Sequence, residues 1–188
     1  MIVVLASGSG TNFEAIANAF PDKVKALVCN VENAKVIHKA QSKNISTFIV
    51  PHKNYTNRSE HEIALLQTIQ HLNDIKVIVL AGYMRVLTPT FFEEVSKIKS
   101  KPVLINLHPA PLDLYKGAHA YEYAITNKVT EWGLSVHEVI PELDSGKLLN
   151  YVSFPVFPYE SEEQLKDRVR PLEHKILIET LNKILFWR

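Results

Sequence analysis

The chain has 188 residues, of which 46% are hydrophobic and 22% are charged, and its formal net charge is +1. Such a chain is long enough to bury a substantial core, and its composition is typical of a soluble globular protein, so disorder is not the default expectation. The small net charge gives no electrostatic reason to expect a nucleic acid or an acidic membrane as a partner.

Short apolar runs alternate with longer amphipathic segments along most of the chain. The runs predict strands at residues 2–6, 24–29, 47–50, 77–81 and 103–105, and the segments between them predict helices at residues 12–18, 34–42, 58–72 and 90–98. A helix at residues 119–126, longer strands at residues 132–140 and 148–156 and a closing helix at residues 161–186 follow. The pattern predicts a single-domain, Rossmann-like α/β fold: a mostly parallel twisted sheet with helices on both faces and antiparallel strands near the C-terminus.

Two features indicate the compartment. The apolar run at residues 2–6 has no basic region before it and is too short for a signal peptide or a membrane span. The one cysteine, Cys29, cannot form an internal disulfide and lies in an apolar run, as expected for a reduced core residue. We therefore predict a cytoplasmic protein.

An amide and an imidazole stand at the end of the strand predicted at residues 103–105. Asn106 and His108 are two apart, so in an extended segment both side chains enter the same space, at the edge where open α/β sheets bind ligands. Imidazole can donate to an oxyanion or move a proton, and an amide can hold a carbonyl. With no nucleophile between them, the pair favours charge stabilisation, although a satisfied loop pair would give the same pattern.

A glycine-containing loop follows the first predicted strand and precedes a helix. Gly8 and Gly10 permit close backbone approach, and the N–H groups of the helix start attract an anion, most naturally a phosphate. The loop is not a dinucleotide fingerprint, because Phe13 stands in the place of the third glycine, and it has no P-loop lysine. An ordinary glycine-containing turn is the alternative.

Two further loops carry candidate residues. Residues 82–87 follow the predicted strand at 77–81, and an aromatic ligand could lie there against Met84, Val86 and Leu87, although a purely structural role explains the pattern equally well. Asp144 lies beside a turn glycine; if its turn folds back over the strand end, the carboxylate would pair with His108 and raise the pKa of the ring.

Metal binding and serine chemistry are the competing uses of these groups. His108, His137 and Asp144 have none of the close spacing expected of ligands on one element, so we predict no metal, and we expect His137 to be structural. No Gly-x-Ser-x-Gly motif supports a serine hydrolase.

In their order and spacing these loops resemble those of the phosphoribosylglycinamide formyltransferases, the folate-dependent enzymes of de novo purine synthesis. The resemblance rests on residues 7–12, 81–87, 106–109, 135–137, 143–146 and 173–174. It implies one formyltransferase domain over residues 1–188, with a phosphate-binding half at about 1–100 and a folate-binding and catalytic half at about 101–188. Residues 110–113 and Lys147 depart from the usual family pattern, which bears on substrate detail more than on the reaction.

The resemblance also implies a reaction and a role for each site residue. The formyl group of 10-formyltetrahydrofolate, a cosubstrate, would pass to the amine of 5-phosphoribosylglycinamide in IMP biosynthesis, by direct attack through a tetrahedral intermediate and without a metal. The implied catalytic residues are Asn106, His108 and Asp144, with His108 kept cationic by Asp144. The implied substrate-binding residues are Gly10, Thr11 and Asn12 for the phosphate and Glu173 for the ribose. The implied residues for the folate are Arg58, Met84, Arg85, Val86, Leu87 and Asn106.

Other functions are also compatible with the sequence. A sugar-amine formyltransferase, another folate-dependent formyltransferase and a formyltetrahydrofolate hydrolase would use similar chemistry, and a noncatalytic folate- or nucleotide-binding module would need none. A hydrolase normally adds an N-terminal regulatory domain and a methionyl-tRNA formyltransferase adds a C-terminal tRNA-binding domain, for which 188 residues leave no room. We expect small molecules as the only ligands, no nucleic acid or membrane partner, and a monomer or homodimer.

Overall fold

The computed structural model describes residues 1–186, which form an α/β structure around one sheet. The strands are β1 Ile2–Ala6, β2 Val24–Cys29, β3 Ser46–Ile49, β4 Val77–Leu80, β5 Val103–His108, β6 Glu131–Glu138 and β7 Leu148–Pro155. The helices are α1 Thr11–Ala19, α2 Lys35–Gln41, α3 Arg58–Gln67, α4 Pro89–Ser96, α5 Ala120–Thr126 and α6 Glu162–Phe186, together with a 3-10 turn at His52–Asn54.

The seven strands have the order β3-β2-β1-β4-β5-β6-β7. Strands β1 to β5 pair in parallel, because each is joined to the next by a crossover segment, whereas β6 and β7 pair antiparallel. The order reverses at β1, so the loops after β1 and β4 leave the same edge of the sheet side by side. This is the kind of crevice in which α/β proteins bind ligands.

The core lies on both faces of the sheet. Strand residues alternate between the faces: Ile2 and Val4 pack in one cluster and Val3 and Leu5 in the other. Helices α1, α2, α5 and α6 cover the first cluster, and α3 and α4 cover the second. Because both faces are covered, β1 and β4 are buried along their whole length, which explains their uninterrupted apolar sequences.

The predicted fold class is confirmed, with differences at the ends of elements. The strand predicted at residues 103–105 continues to His108, because β6 pairs with it antiparallel and matches Asn106 with His137 and His108 with Ser135. The helix predicted at residues 58–72 ends at Gln67, and the 3-10 turn was not predicted. Of the domain predicted over residues 1–188, residues 187–188 lie outside the described residues. Within residues 1–186, none of the helices is both long and apolar enough to cross a membrane.

Candidate active site

The end of β5 brings Asn106 and His108 into one space, as their spacing predicts. Asn106 Nδ2 lies 3.4 Å from His137 Nε2, and the ring of His108 meets the ring of His137 edge to face at 6.4 Å between centroids. Strand β6 places His137 there, because it runs antiparallel beside β5 and pairs His137 with Asn106. His137 therefore belongs to the same cluster, which is compatible with the structural role expected from the sequence and with a supporting role beside His108.

Asp144 reaches this cluster from the loop that joins β6 to β7. Its Oδ2 lies 3.6 Å from His108 Nδ1, and its Oδ1 lies 3.4 Å from His137 Nε2. Oδ2 also accepts a hydrogen bond of 2.8 Å from the backbone N–H of Gly117. Asp144 is only 8% exposed, so the carboxylate lies between two imidazole rings in a buried setting. The three residues that the resemblance makes catalytic are thus brought together.

The position of Asp144 depends on a tight turn that only glycine permits. Asp144 itself has a left-handed backbone, with φ of 45°. Two residues later, a Cβ on Gly146 would lie 1.7 Å from the carbonyl oxygen of Glu138, a distance that no side chain tolerates. The missing Cβ allows the turn to lie against the end of β6 and to direct the carboxylate inward.

The hydrogen bonds of the two rings assign their protons. His108 Nε2 faces the carbonyl oxygen of Tyr115 at 3.0 Å, and His137 Nδ1 faces that of Glu138 at 2.8 Å. A carbonyl oxygen only accepts, so each of these nitrogens carries a proton. In the neutral rings the other nitrogens are bare, and both face Asp144. A proton taken up by either ring therefore lies between that ring and the carboxylate.

The electrostatics of the pair differ from the prediction. Burial lowers the pKa of His108, and the opposing effect of the Asp144 charge does not overcome it. For Asp144, burial acts to raise the pKa of the carboxyl, but the contact with His137 and the hydrogen bond from the Gly117 N–H outweigh it, so the pKa is lowered. Asp144 does act to raise the pKa of His108, as predicted, but burial outweighs this effect, so the expected cationic ring is not what the structure favours. The structure holds a neutral His108 beside an ionised Asp144.

Residues 111–118 cover His108 with backbone groups that sequence reasoning missed. The carbonyl of Tyr115 accepts from His108, and the N–H of Gly117 donates to Asp144. Lys116 Nζ adds a hydrogen bond of 2.6 Å to Ser145 Oγ. The loop before α5 is thereby bonded to the side chains of His108 and Asp144 and to the turn that carries Asp144.

The phosphate loop, which we define as residues 7–12, ends at the start of α1. Gly10 is the N-cap of this helix and has a left-handed backbone with φ of 72°, and no side chain caps the helix. A Cβ on Gly10 would lie 2.5 Å from Val36 Cγ2, so the loop needs glycine here for space as well. The first N–H groups of α1 have no partner within the helix, and they lie where the sequence predicts an anion site.

Glu173 of α6 lies at the same helix start. Its Oε2 accepts a hydrogen bond of 3.3 Å from Asn12 Nδ2, and its Oε1 accepts one of 2.6 Å from the hydroxyl of Tyr121. Within the described part of the chain, Asn12 Oδ1 is buried without a hydrogen-bond partner. A ligand hydroxyl could satisfy this acceptor. Tyr121 was missed, because an aromatic residue on an amphipathic helix is ordinarily read as core.

The cofactor loop, which we define as residues 82–88, follows β4 next to Asn106, because Leu80 pairs with Asn106. In this loop the side chains of Met84 and Val86 are 76% and 50% exposed. Arg85 is half-buried, and Leu87 packs partly against the core.

Arg58, at the first position of α3, is exposed, and no hydrogen bond or ion pair joins it to another residue of the range 1–186. Its neighbour Ser59 accepts a hydrogen bond of 3.1 Å from Thr90 Oγ1, so Arg58 lies beside the helix that follows the cofactor loop. Among the residues that the structure describes, no group of three or more His, Cys, Asp and Glu side chains could hold a metal ion.

Comparison with known proteins gives similarity over nearly the whole chain. A family model described as formyl transferase matches residues 1–181. A Dictyostelium discoideum protein named phosphoribosylglycinamide formyltransferase is 35% identical over 196 residues, covering 96% of this chain and 95% of the relative. A Gallus gallus protein named trifunctional purine biosynthetic protein adenosine-3 is 32% identical over 179 residues, covering 93% of this chain and 17% of that longer protein. The crystal structure of glycinamide ribonucleotide transformylase 1 from Geobacillus kaustophilus has a TM-score of 0.88 at 34% identity, covering 98% of this chain and 97% of the other.

Proposed function

The chain belongs to the formyl transferase family, and from this we propose that it is a phosphoribosylglycinamide formyltransferase. It transfers the formyl group of 10-formyltetrahydrofolate to the amine of 5-phosphoribosylglycinamide, a step of de novo purine biosynthesis. The names of the relatives support this activity, and so does the site at the carboxyl edge of the sheet. The observation that carries the proposal is the buried Asp144 carboxylate between His108 and His137, next to the Asn106 amide.

This cluster suits attack by an amine on a formyl carbon. The attack turns the formyl oxygen into an oxyanion, which needs hydrogen-bond donors that are already in place. We assign the Asn106 amide and His108 Nε2–H as these donors. Each has a protein partner in the structure, the His137 ring and the Tyr115 carbonyl, which the oxyanion replaces. Fixed donors of this kind typically contribute about 10²- to 10³-fold each to turnover.

The same cluster handles the proton of the reaction. After attack, the new ammonium must lose a proton and the folate nitrogen must gain one before the carbon–nitrogen bond to the folate breaks and the formyl carbonyl re-forms. Asp144 faces the bare nitrogens of both rings, so a proton can rest between carboxylate and imidazole during this transfer. No covalent enzyme intermediate is needed, because the amine attacks the formyl carbon directly, and the cluster of Asn106, His108, His137 and Asp144 contains no serine, cysteine or lysine.

The substrate's phosphate and ribose fit the phosphate loop and its neighbours. Gly10, Thr11 and Asn12 place the N–H groups of the α1 start around the phosphate. Glu173, held by Asn12 and Tyr121, accepts hydrogen bonds from the ribose hydroxyls. An anion at this helix start is compatible with Glu14 in the first turn, because Lys39 pairs with Glu14 and lowers its pKa.

The formyl donor fits the apolar side chains that border the cluster. Met84, Val86, Leu114, Ile140 and Leu143 are large and exposed, and all lie on the loops that surround Asn106, His108 and Asp144. A folate ring system would cover such surface, and Arg58 and Arg85 add positive charge for its carboxylates. The residues present therefore fit the cosubstrate without a metal. The wider predictions of a cytoplasmic location, of small molecules as the only partners and of a monomer or homodimer are part of this proposal.

An assay with competing acceptors tests the function. The purified protein is mixed with 10-formyltetrahydrofolate and, in separate reactions, with 5-phosphoribosylglycinamide, a sugar amine or water alone, and release of the deformylated folate is followed. We expect release only with 5-phosphoribosylglycinamide. Transfer only to the sugar amine, or release in water alone, would replace the proposal with a different formyl transferase or a hydrolase; folate binding without release would indicate a noncatalytic module.

A further inference from the structure

Ser7 lies where the phosphate loop meets the cofactor loop. Its backbone N–H donates a hydrogen bond of 3.1 Å to the carbonyl of Gly82, and its Oγ accepts one of 2.9 Å from the backbone N–H of Met84. Ser7 is buried, so both bonds are shielded from water. A single residue of the phosphate loop is thus bonded to the cofactor loop on both sides of Tyr83.

The hydroxyl of Ser7 is itself held by a buried acceptor. Because Oγ accepts from Met84, its proton is free to be donated, and it is directed to Asn30 Oδ1 at 2.6 Å. Asn30 follows the last residue of β2 and is almost completely buried. The side-chain Nδ2 of Asn30 lies 3.2 Å from His52 Nδ1, and its backbone carbonyl oxygen lies 2.9 Å from the same nitrogen. A chain of hydrogen bonds therefore runs from Met84 through Ser7 to Asn30, which orients the hydroxyl.

Met84 and Val86 project into solvent, so their side chains do not anchor the cofactor loop, whereas Tyr83 and Leu87 pack partly against the core. The backbone of the loop is also held by hydrogen bonds to buried acceptors at its two ends. At one end, Ser7 Oγ accepts a hydrogen bond from the N–H of Met84. At the other end, Glu62 Oε1 accepts one of 2.9 Å from the N–H of Thr88, and Glu62 Oε2 accepts one from the Thr88 hydroxyl. With both ends held, the backbone between Met84 and Thr88 keeps the exposed apolar side chains of the loop in a fixed position relative to the sheet.

We propose that Ser7 is a positioning residue: it holds the cofactor loop in register with the phosphate loop, and so sets the formyl donor against the amine substrate. This inference rests on the proposed function, because it takes residues 82–88 as the loop that contacts the folate. Ser7 touches neither substrate through its side chain, whose two hydrogen bonds are both made to protein groups.

The proposal predicts a specific kinetic change. Ser7→Ala removes the acceptor of the Met84 N–H and leaves the backbone bond to Gly82 in place. Loss of one such hydrogen bond typically corresponds to about a five- to tenfold change in an equilibrium. We expect the KM for 10-formyltetrahydrofolate to rise by about this factor, with kcat and the KM for 5-phosphoribosylglycinamide changed by less than about twofold. Ser7→Thr, which keeps the hydroxyl, should restore the folate KM.

Amide hydrogen exchange tests the geometry without any activity. In Ser7→Ala the Met84 amide should exchange about five- to tenfold faster than in wild type, whereas the Ala81 amide, bonded to Leu5 at 2.9 Å, should not change. Asn30→Ala, which removes the acceptor of the Ser7 hydroxyl together with the Nδ2 contact to His52 but leaves Ser7 Oγ in place, should give a smaller change of the same kind. Ser100→Ala is the matched control. Ser100 is exposed and lies just before β5, at the edge of the sheet opposite to the two loops.

The two arms separate the possible failures. If Ser7→Ala leaves either the Met84 exchange rate or the folate KM at the wild-type value, the positioning role is overturned while the formyl transferase activity stands. If the wild-type protein shows no formyl transfer, the proposed function fails and the cofactor assignment of the loop fails with it. A Ser7→Ala variant that loses the protection of Ala81 as well would show general unfolding of this edge, and would also count against a local positioning role.

Discussion

Asp144 Oδ2 lies 3.6 Å from His108 Nδ1, and burial keeps that ring neutral beside the ionised carboxylate. A neutral imidazole next to a carboxylate is a proton acceptor with a ready counter-charge, so it is suited to take a proton during the reaction more than to supply one beforehand. The ring of His137 faces the other oxygen of Asp144, with Nε2 3.4 Å from Oδ1. The carboxylate can therefore stabilise a proton on either ring, and we propose that the reaction uses this charge.

Asp144→Asn tests this use of charge. The amide can still accept from the Gly117 N–H, so we expect the loop to keep its place, but it cannot stabilise a proton on His108 or His137. We expect kcat to fall by about 10²- to 10⁴-fold, the usual contribution of a positioned proton-transfer group. Steady-state kinetics and circular dichroism measure activity and fold. Asp22→Asn, at an exposed site between α1 and β2, is the control, and near-normal turnover of Asp144→Asn would reject the assignment.

The buried histidines predict a dependence of stability on pH. Burial lowers the pKa of His61, His108 and His174 below the ordinary value of 6.5. Below pH 6.5 the unfolded chain therefore binds protons that the folded chain does not, and the free energy of unfolding must fall as the pH drops. Asp144, whose pKa is lowered below 3.8, acts in the same direction only at more acid pH.

Urea unfolding at pH 7.5, 6.5 and 5.5 measures this effect. We expect the unfolding midpoint to decrease steadily over the series, and the decrease to be smaller in His108→Asn, which removes one of the buried rings. A midpoint that stays constant or rises toward acid pH would contradict the assignment of these histidines as buried and neutral.

Gly146→Ala tests the turn that directs Asp144. A Cβ at this position meets the carbonyl oxygen of Glu138 at 1.7 Å, and a backbone group of a strand cannot give way cheaply. We expect a loss of about 3 kcal/mol or more in the free energy of unfolding, together with loss of turnover as the carboxylate moves. Urea titration measures the first and the formyl transfer assay the second. Gly8→Ala is the stability control, since nothing lies within 4 Å of a Cβ at Gly8, and equal midpoints for both variants would show that the turn tolerates a side chain.

Alternating strands and helices predicted the sheet because parallel pairing requires crossovers, and this held for β1 to β5. The spacing of Asn106 and His108 likewise predicted that their side chains point the same way, because residues two apart in a strand lie on the same face. The length of β5 was not predictable in this way. It is decided by β6, whose pairing draws Asn106 and His108 into the strand, and no local pattern records that partner.

The groups that surround His108 could not be predicted from the sequence, for a different reason. The Tyr115 carbonyl and the Gly117 N–H are backbone groups, which every non-proline residue possesses, so their presence in the site leaves no mark on the sequence. The pKa of His108 depends on the balance between burial and the charge of Asp144. The sequence indicated the charge, but the burial that outweighs it comes from packing.

Tyr121 provides a final test, at the other end of the substrate. Burial and the nearby Glu173 charge raise the pKa of Tyr121, so the phenol stays protonated and donates to Glu173 Oε1 at 2.6 Å. Tyr121→Phe removes this bond and leaves Glu173 held by Asn12 alone. We expect the KM for 5-phosphoribosylglycinamide to rise by about five- to tenfold, with kcat and the KM for 10-formyltetrahydrofolate changed by less than about twofold.

Tyr123→Phe is the matched control for this experiment. Tyr123 lies on the same helix and is 40% exposed, and its hydroxyl makes no hydrogen bond to any residue in the range 1–186. The same atom is removed in both variants, so a difference between them isolates the bond to Glu173. A Tyr121→Phe enzyme with wild-type KM for the ribonucleotide would show that Glu173 is oriented without the phenol, whereas a rise in both substrate KM values would show that α5 positions the whole edge of the sheet and not the ribose site alone.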